Sequence, residues 1–122
     1  MKLGAPIPIH RIFDEAKARE FYCDYLGFTV DFEHRFDAAA PLYLQVSLGD
    51  CVLHLSEHSG DATPGSTTRI PVSDLKTFHA GLRAKPYKYA RPGVQSQPWG
   101  LEEMTISDNF GNKLIFWQAA EG

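Results

Sequence analysis

The sequence predicts an α+β fold built from two βαβββ modules. Three observations carry this. The chain echoes itself: Ile7-Pro8-Ile9 ahead of Asp14 returns as Ile70-Pro71-Val72 ahead of Asp74, and Gly49-Asp50-Cys51-Val52-Leu53 returns as Gly111-Asn112-Lys113-Leu114-Ile115 at nearly the same offset. Each copy holds one stripe of apolar residues at helical spacing. The rest of each copy alternates with the period of two that strands require. A chain of 122 residues suits a single domain, 1–122, with module one at about 5–59 and module two at about 66–119.

In module one, Ile7-Pro8-Ile9 is the first strand. Asp14 is placed to cap a helix, because a carboxylate can accept from the free N–H groups of a first turn. Ala18, Phe21, Tyr22, Tyr25 and Leu26 then fall on one helical face. Gly27 suits the left-handed position that ends a helix. Phe28, Val30, Phe32, His34 and Phe36 are expected on one face of the second strand. Leu42, Leu44, Val46 and Leu48 share a face of the third, and Cys51, Leu53 and Leu55 a face of the fourth, opposite Val52, His54 and Ser56. Leu48-Gly49-Asp50 reads as a hairpin. Gly60-Asp61-Ala62-Thr63-Pro64-Gly65 links the copies. In module two, Ser73 or Asp74 caps a helix striped by Leu75, Phe78 and Leu82 and ended by Lys85-Pro86. Strands follow at Tyr87-Lys88-Tyr89, at Met104-Thr105-Ile106, and from Lys113 to Gln118 after the Asp108-Asn109-Phe110-Gly111 turn.

Composition excludes several classes. Hydrophobic residues make up 43% and charged residues 22%, and the formal net charge is −3. That balance is globular and lacks the basic footprint of a nucleic-acid binder. No apolar run approaches the roughly 18 residues of a membrane span, and the first residues do not read as a signal peptide. Cys23 and Cys51 form no CxxC pair and sit on apolar faces, so inert thiols in a reducing cytoplasm are expected. Phosphate-binding glycine loops and the G-x-S-x-G elbow are absent from the sequence.

Three stretches resemble the vicinal oxygen chelate superfamily of glyoxalases, dioxygenases and bleomycin-resistance proteins. Glu20-Phe21-Tyr22-Cys23-Asp24-Tyr25-Leu26-Gly27-Phe28 is similar to its first-helix ending, and Ser107-Asp108-Asn109-Phe110-Gly111-Asn112 to its final hairpin, with Asn109 where Pro is commoner. Gln97-Pro98-Trp99-Gly100 resembles a segment of the bleomycin-resistance branch. Metal-dependent members take one His or Glu from the first and last strands of each half. The resemblance maps those slots to Ile7, Leu53, Thr67 and Ile115, none a good ligand, so no metal and no cofactor is expected. A register slip of one residue would bring His54 to the slot and swap the faces of its strand.

The resemblance implies that the two modules form a curved mixed sheet around a metal-free cleft lined by Leu53, Leu55, Ile115 and Trp117, with Phe32, Phe36 and Trp99 at its rim. An aromatic, apolar cleft is the usual form of a small-molecule site. Asp31, Phe32, Phe36, Ser56, Trp99 and Gly100 match positions that contact the drug in the resistance branch. The implied activity is sequestration of a bleomycin-like aromatic or cationic molecule by a homodimer that exchanges its N-terminal strand. Pro6 and Pro8, which remove ladder donors, are compatible with an edge strand. The candidate ligand-binding residues are therefore Phe32, His34, Phe36, Ser56, Trp99, Gly100, Ile115 and Trp117, with no catalytic or metal residue. Phe32 and Phe36 also read as core aromatics, and His34 as ordinary surface. A metal-dependent glyoxalase, dioxygenase or thiol transferase, and a binder of another metabolite, are the alternatives. His54-Leu55-Ser56-Glu57-His58 fits the H-x-x-E-H zinc pattern. That pattern needs a helix, and along a strand its two histidines would stand about 13 Å apart. His10 reads as an edge or half-buried residue and His79 as packing or surface. Glu102 and Glu103 point to opposite faces, so at most one meets the cleft.

Overall fold

The computed structural model describes residues 1–87 and 90–120. The chain divides into two compact units, Met1–Pro64 and the part from Gly65 onward. Unit one runs β1 (Ile9–Arg11), α1 (Glu15–Arg19) continuing as a π-helical turn (Glu20–Tyr25), β2 (Thr29–His34), β3 (Tyr43–Leu48) and β4 (Cys51–Ser56). Unit two runs β5 (Thr67–Pro71), α2 (Leu75–Arg83), β6 (Val94–Ser96), β7 (Leu101–Ser107) and β8 (Lys113–Ala119). Each unit has a four-stranded sheet, ordered β1-β4-β3-β2 in one and β5-β8-β7-β6 in the other. The first strand lies parallel to the last, and the other pairs are antiparallel. The identical strand order is the duplication read from the sequence.

The helices start and stop where side-chain chemistry dictates. Asp14 accepts from the Lys17 N–H at 2.9 Å. Asp74, not Ser73, caps α2, accepting from the N–H and the hydroxyl of Thr77. Gln118 reinforces that end, accepting from the Leu75 N–H and donating to the Ser73 carbonyl. Ala18, Phe21, Tyr22, Tyr25 and Leu26 are all buried, and Gly27 has φ +92°. The chain widens into the π-turn at Glu20, with the Leu26 N–H reaching back to the Phe21 carbonyl. In unit two, Leu75 and Leu82 are buried, and Phe78 meets Phe116 edge to face at 4.9 Å.

Four sequence expectations need correction. The first strand covers Ile9–Arg11 rather than Ile7–Ile9, and Ile7 is exposed. Pro8 still contributes its carbonyl, which accepts from the His54 N–H. The expected face of Phe28, Val30, Phe32, His34 and Phe36 is broken: Val30 pairs with Val46 but Phe32 with Gln45, so Asp31 is an extra residue in a β-bulge. The bulge reverses the alternation, leaving Val30 on one side of the sheet and Phe32 and His34 on the other. Leu48, expected in the core stripe, is exposed at the hairpin. In unit two, the strand antiparallel to the start of β7 is Val94–Ser96. Tyr87 lies outside any strand. Lys88 and Tyr89 of that expected strand lie outside the described residues.

No helix among the described residues is long and apolar enough to cross a membrane.

Candidate functional site

Each sheet has a helix-covered face and a helix-free face, and the functional question is which side chains occupy the second. In unit one, the buried His10 ring (0% exposed) bonds through Nδ1 to the Tyr22 hydroxyl of the helix, 2.9 Å away. His10 pairs with Leu55, and Leu55 with Leu44. Leu44, Val46, Leu53 and Leu55 are therefore the helix-side core, each at most 1% exposed. This corrects the expectation that Leu53 and Leu55 line the cleft. The first and last strands pair Ile9 with His54, so His54 takes the helix-free face and Leu53 does not. The ligand slots assigned to Ile7 and Leu53 are displaced with it.

The helix-free face of unit one carries Ile9, Phe32, His34, Tyr43, Gln45 and His54. Five polar side chains there form a chain. Asp31 Oδ2 accepts from Gln45 Nε2 at 3.0 Å, and Asp31 Oδ1 from the Ser47 hydroxyl at 3.0 Å. Gln45 Oε1 is 2.9 Å from His54 Nε2, and the Tyr43 hydroxyl bonds His54 Nδ1. The hydrogen bonds from Gln45 and Ser47 hold the Asp31 carboxyl below its usual range, so it is ionised. Burial, with the Asp61 charge, pushes the Tyr43 phenol up, so it keeps its proton. Sequence reasoning singled out Asp31, met His54 only as the residue that a one-residue register slip would bring to the slot, and missed Tyr43 and Gln45. Their signal was the polar row opposite the aliphatic one on β3 and β4, since the more apolar face of a sheet belongs under the helix.

Phe32 is 48% exposed, its ring meeting His54 edge-on at 5.9 Å. His34 and Phe36 meet edge-on at 5.0 Å, and Phe36 is 91% exposed. Phe32 and Phe36 are thus surface aromatics, not core. The loop after Phe36 is tied down by Arg35, which donates to the Ala40 carbonyl and pairs with Glu15 and Glu57. Ser56 is enclosed: its hydroxyl donates to Asp61 at 2.6 Å and accepts from the His58 N–H.

In unit two, Ile115 and Trp117 are half-buried on the helix-free face, opposite Thr105 and Glu103 and beside Arg69. Arg69 donates to Glu103 at 2.6 Å, and its guanidinium lies 6.0 Å from the Trp117 ring centre. Glu103 is the member of the Glu102-Glu103 pair on that face. Trp99 is 62% exposed in the turn between β6 and β7. Gly100 follows at φ +86°, a conformation that favours glycine. A separate cavity of about 350 Å³, lined by His79, Arg83, Lys85 and Arg91 among others, includes none of these residues.

The H-x-x-E-H match is split between strand and turn, with His54 on β4 and His58 beyond its end. His79 donates through Nε2 to the Pro92 carbonyl. No group of three or more His, Cys, Asp or Glu among the described residues could hold a metal ion. Burial pushes both thiols up, with Arg19 partly offsetting this at Cys23, so both are protonated at neutral pH.

Comparison with solved structures returns antibiotic binders of the same fold. A bleomycin-binding protein from bleomycin-producing Streptomyces verticillus, solved with copper(II)-bleomycin, is 30% identical with a TM-score of 0.69, covering 99% of each chain. A bleomycin-binding protein complexed with bleomycin is 22% identical with a TM-score of 0.72, covering 95% of this chain and 98% of that one. TnmS3, an antibiotic-binding protein from a Streptomyces species, is 22% identical with a TM-score of 0.69, covering 98% of this chain and 100% of that one. No curated protein sequence matches the chain. A family model described as glyoxalase superfamily protein matches residues 2–122, and with this strand order and these relatives the chain belongs to the glyoxalase superfamily, in the fold shared with the bleomycin-resistance proteins.

Proposed function

We propose that the protein binds and sequesters a small planar aromatic or cationic molecule, making and breaking no bond, with bleomycin-type antibiotics as the leading ligand. The observation that carries this is the exposure of Phe32, Phe36 and Trp99 on units whose cores are otherwise closed. Phe32 clusters with His54 and Phe36 with His34, and contiguous exposed rings of this kind support an interaction surface. Ring faces stack on planar heteroaromatic groups and attract cations. Bleomycins offer both, as bithiazole rings and a cationic tail. Similarity to a protein solved with copper(II)-bleomycin supports the same ligand class. Ile115 and Trp117 supply a second apolar platform, and His34 flanks Phe36. Ser56, enclosed and committed to Asp61, takes no part.

The working form is a homodimer in a reducing cytoplasm. Two free thiols and the exposed Leu3 and Ile7 of the N-terminal segment support that reading. Sedimentation equilibrium tests it: the mass of two chains is expected, and of one chain refutes it.

Calorimetric titration with metal-free and copper-loaded bleomycin tests the function. Saturation below micromolar, weakened at least tenfold (about 1.4 kcal/mol) by Trp99→Ala, is the expected result. No binding up to high micromolar refutes the drug reading. About one tightly held transition metal per chain would instead favour a metal-dependent enzyme.

A further inference from the structure

The hydrogen-bond chain on the helix-free face of unit one has a direction, and the direction selects a ligand chemistry. An ionised carboxylate only accepts, so Asp31 forces the Gln45 amide to turn its NH₂ toward it. Gln45 must then turn Oε1 toward His54, which makes the His54 Nε2 a donor. The remaining nitrogen, Nδ1, is a lone pair, and it takes the Tyr43 hydroxyl proton. The proton of Tyr43 and that of His54 are thus both spent inside the row. What remains turned outward is acceptor capacity: lone pairs on the Tyr43 oxygen and the Asp31 carboxylate. The row is half-buried to exposed, with the Phe32 ring against His54.

We propose that Asp31 and Tyr43, oriented through Gln45 and His54, form an acceptor row that takes the amidinium, guanidinium or amine group of a planar ligand while Phe32 takes its ring. The proposal rests on the small-molecule binding reading and names the ligand chemistry of that site.

Benzamidine and benzoate test the row, being planar molecules of similar size that differ in donating or accepting. Nitrogen-15 spectra of the imidazoles read the tautomer, and amide shifts read binding. The expected result at pH 8 is His54 with its proton on Nε2. Benzamidine should shift the signals of Phe32, Tyr43 and His54 at least threefold more tightly than benzoate. Tyr43→Phe should remove most of that preference, and Asp31→Asn, which unlocks the amide, should mix the two His54 tautomers. Equal binding of the two probes, or an unchanged preference in Tyr43→Phe, overturns the proposal. Bleomycin that fails to bind while benzamidine behaves as stated refutes the drug reading alone.

Discussion

Replacing Leu53 and His54 in turn tests the assignment of the two faces of unit one. Leu53 is 0% exposed, faces Val46 across the sheet and lies under the helix. Leu53→Ala removes buried carbon and leaves a cavity walled by Leu44, Val46 and Leu55, which costs about 2–5 kcal/mol. At about 4 °C per kcal/mol for a chain of this size, Tm falls by about 8–20 °C. His54 is half-buried, and its partners Tyr43 and Gln45 remain open to water. His54→Ala therefore costs about 1 kcal/mol or less. Both tryptophans lie in the other unit, so urea unfolding is followed by far-UV circular dichroism. Ligand affinity should move oppositely, retained by folded Leu53→Ala and lost by His54→Ala. A Leu53→Ala variant within about 0.5 kcal/mol of the parent, beside a His54→Ala variant costing more than about 2 kcal/mol, would show that the faces are reversed.

Further outcomes follow from the caps and the thiols. Asp14→Ala deletes the bond to the Lys17 N–H and should cost about 0.5–2 kcal/mol in urea unfolding, with Asp14→Asn recovering most of it. Asp74 has its carboxyl held below the usual range by the Thr77 hydroxyl and N–H. A lowered folded-state value stabilises above the unfolded carboxyl range and is lost as pH falls through the folded value, so the protection of α2 amides, taken relative to their intrinsic exchange rates, should fall on acidification. In Asp74→Asn it should lose that acid sensitivity. Cys23 and Cys51, both held protonated by burial, should react with a disulfide reagent more slowly than in the urea-unfolded chain at pH 7. A rate equal to that of the unfolded chain would contradict the burial.

Much of the architecture was legible because its signals are local. A capping Asp, an apolar helical stripe, and glycines at hairpins and after helices each act within a few residues. Repetition along the chain supplied the two modules and their order of elements. What escaped depends on pairing across the sheet. The run Cys51-Val52-Leu53-His54-Leu55-Ser56 reveals two faces, and its aliphatic one belongs under the helix, but the slots taken from the resemblance put Leu53 and Leu55 in the cleft. His10, which bonds Tyr22 of the helix, pairs with Leu55. The bulge at Asp31 escaped because an alternating sequence cannot show an extra residue whose partner strand has none opposite. A charged residue between Val30 and Phe32 was its only local trace. The aromatic candidates Phe32, Phe36 and Trp99 came from the resemblance to the resistance branch, while the polar row needed the fold to bring Asp31, Gln45 and His54 together.

Pairing the first strand of each unit with its last has a consequence for synthesis. While the chain leaves the ribosome, Ile9–Arg11 has nothing to lie against until Cys51–Ser56 has been made, and Thr67–Pro71 waits in the same way for Lys113–Ala119. The hairpins between can zip earlier, because their partners are sequence neighbours. Each unit thus finishes folding by recruiting its oldest strand, a distant contact of the kind that slows folding. During that wait His10 and Ile70, both buried in the finished fold, stay in water.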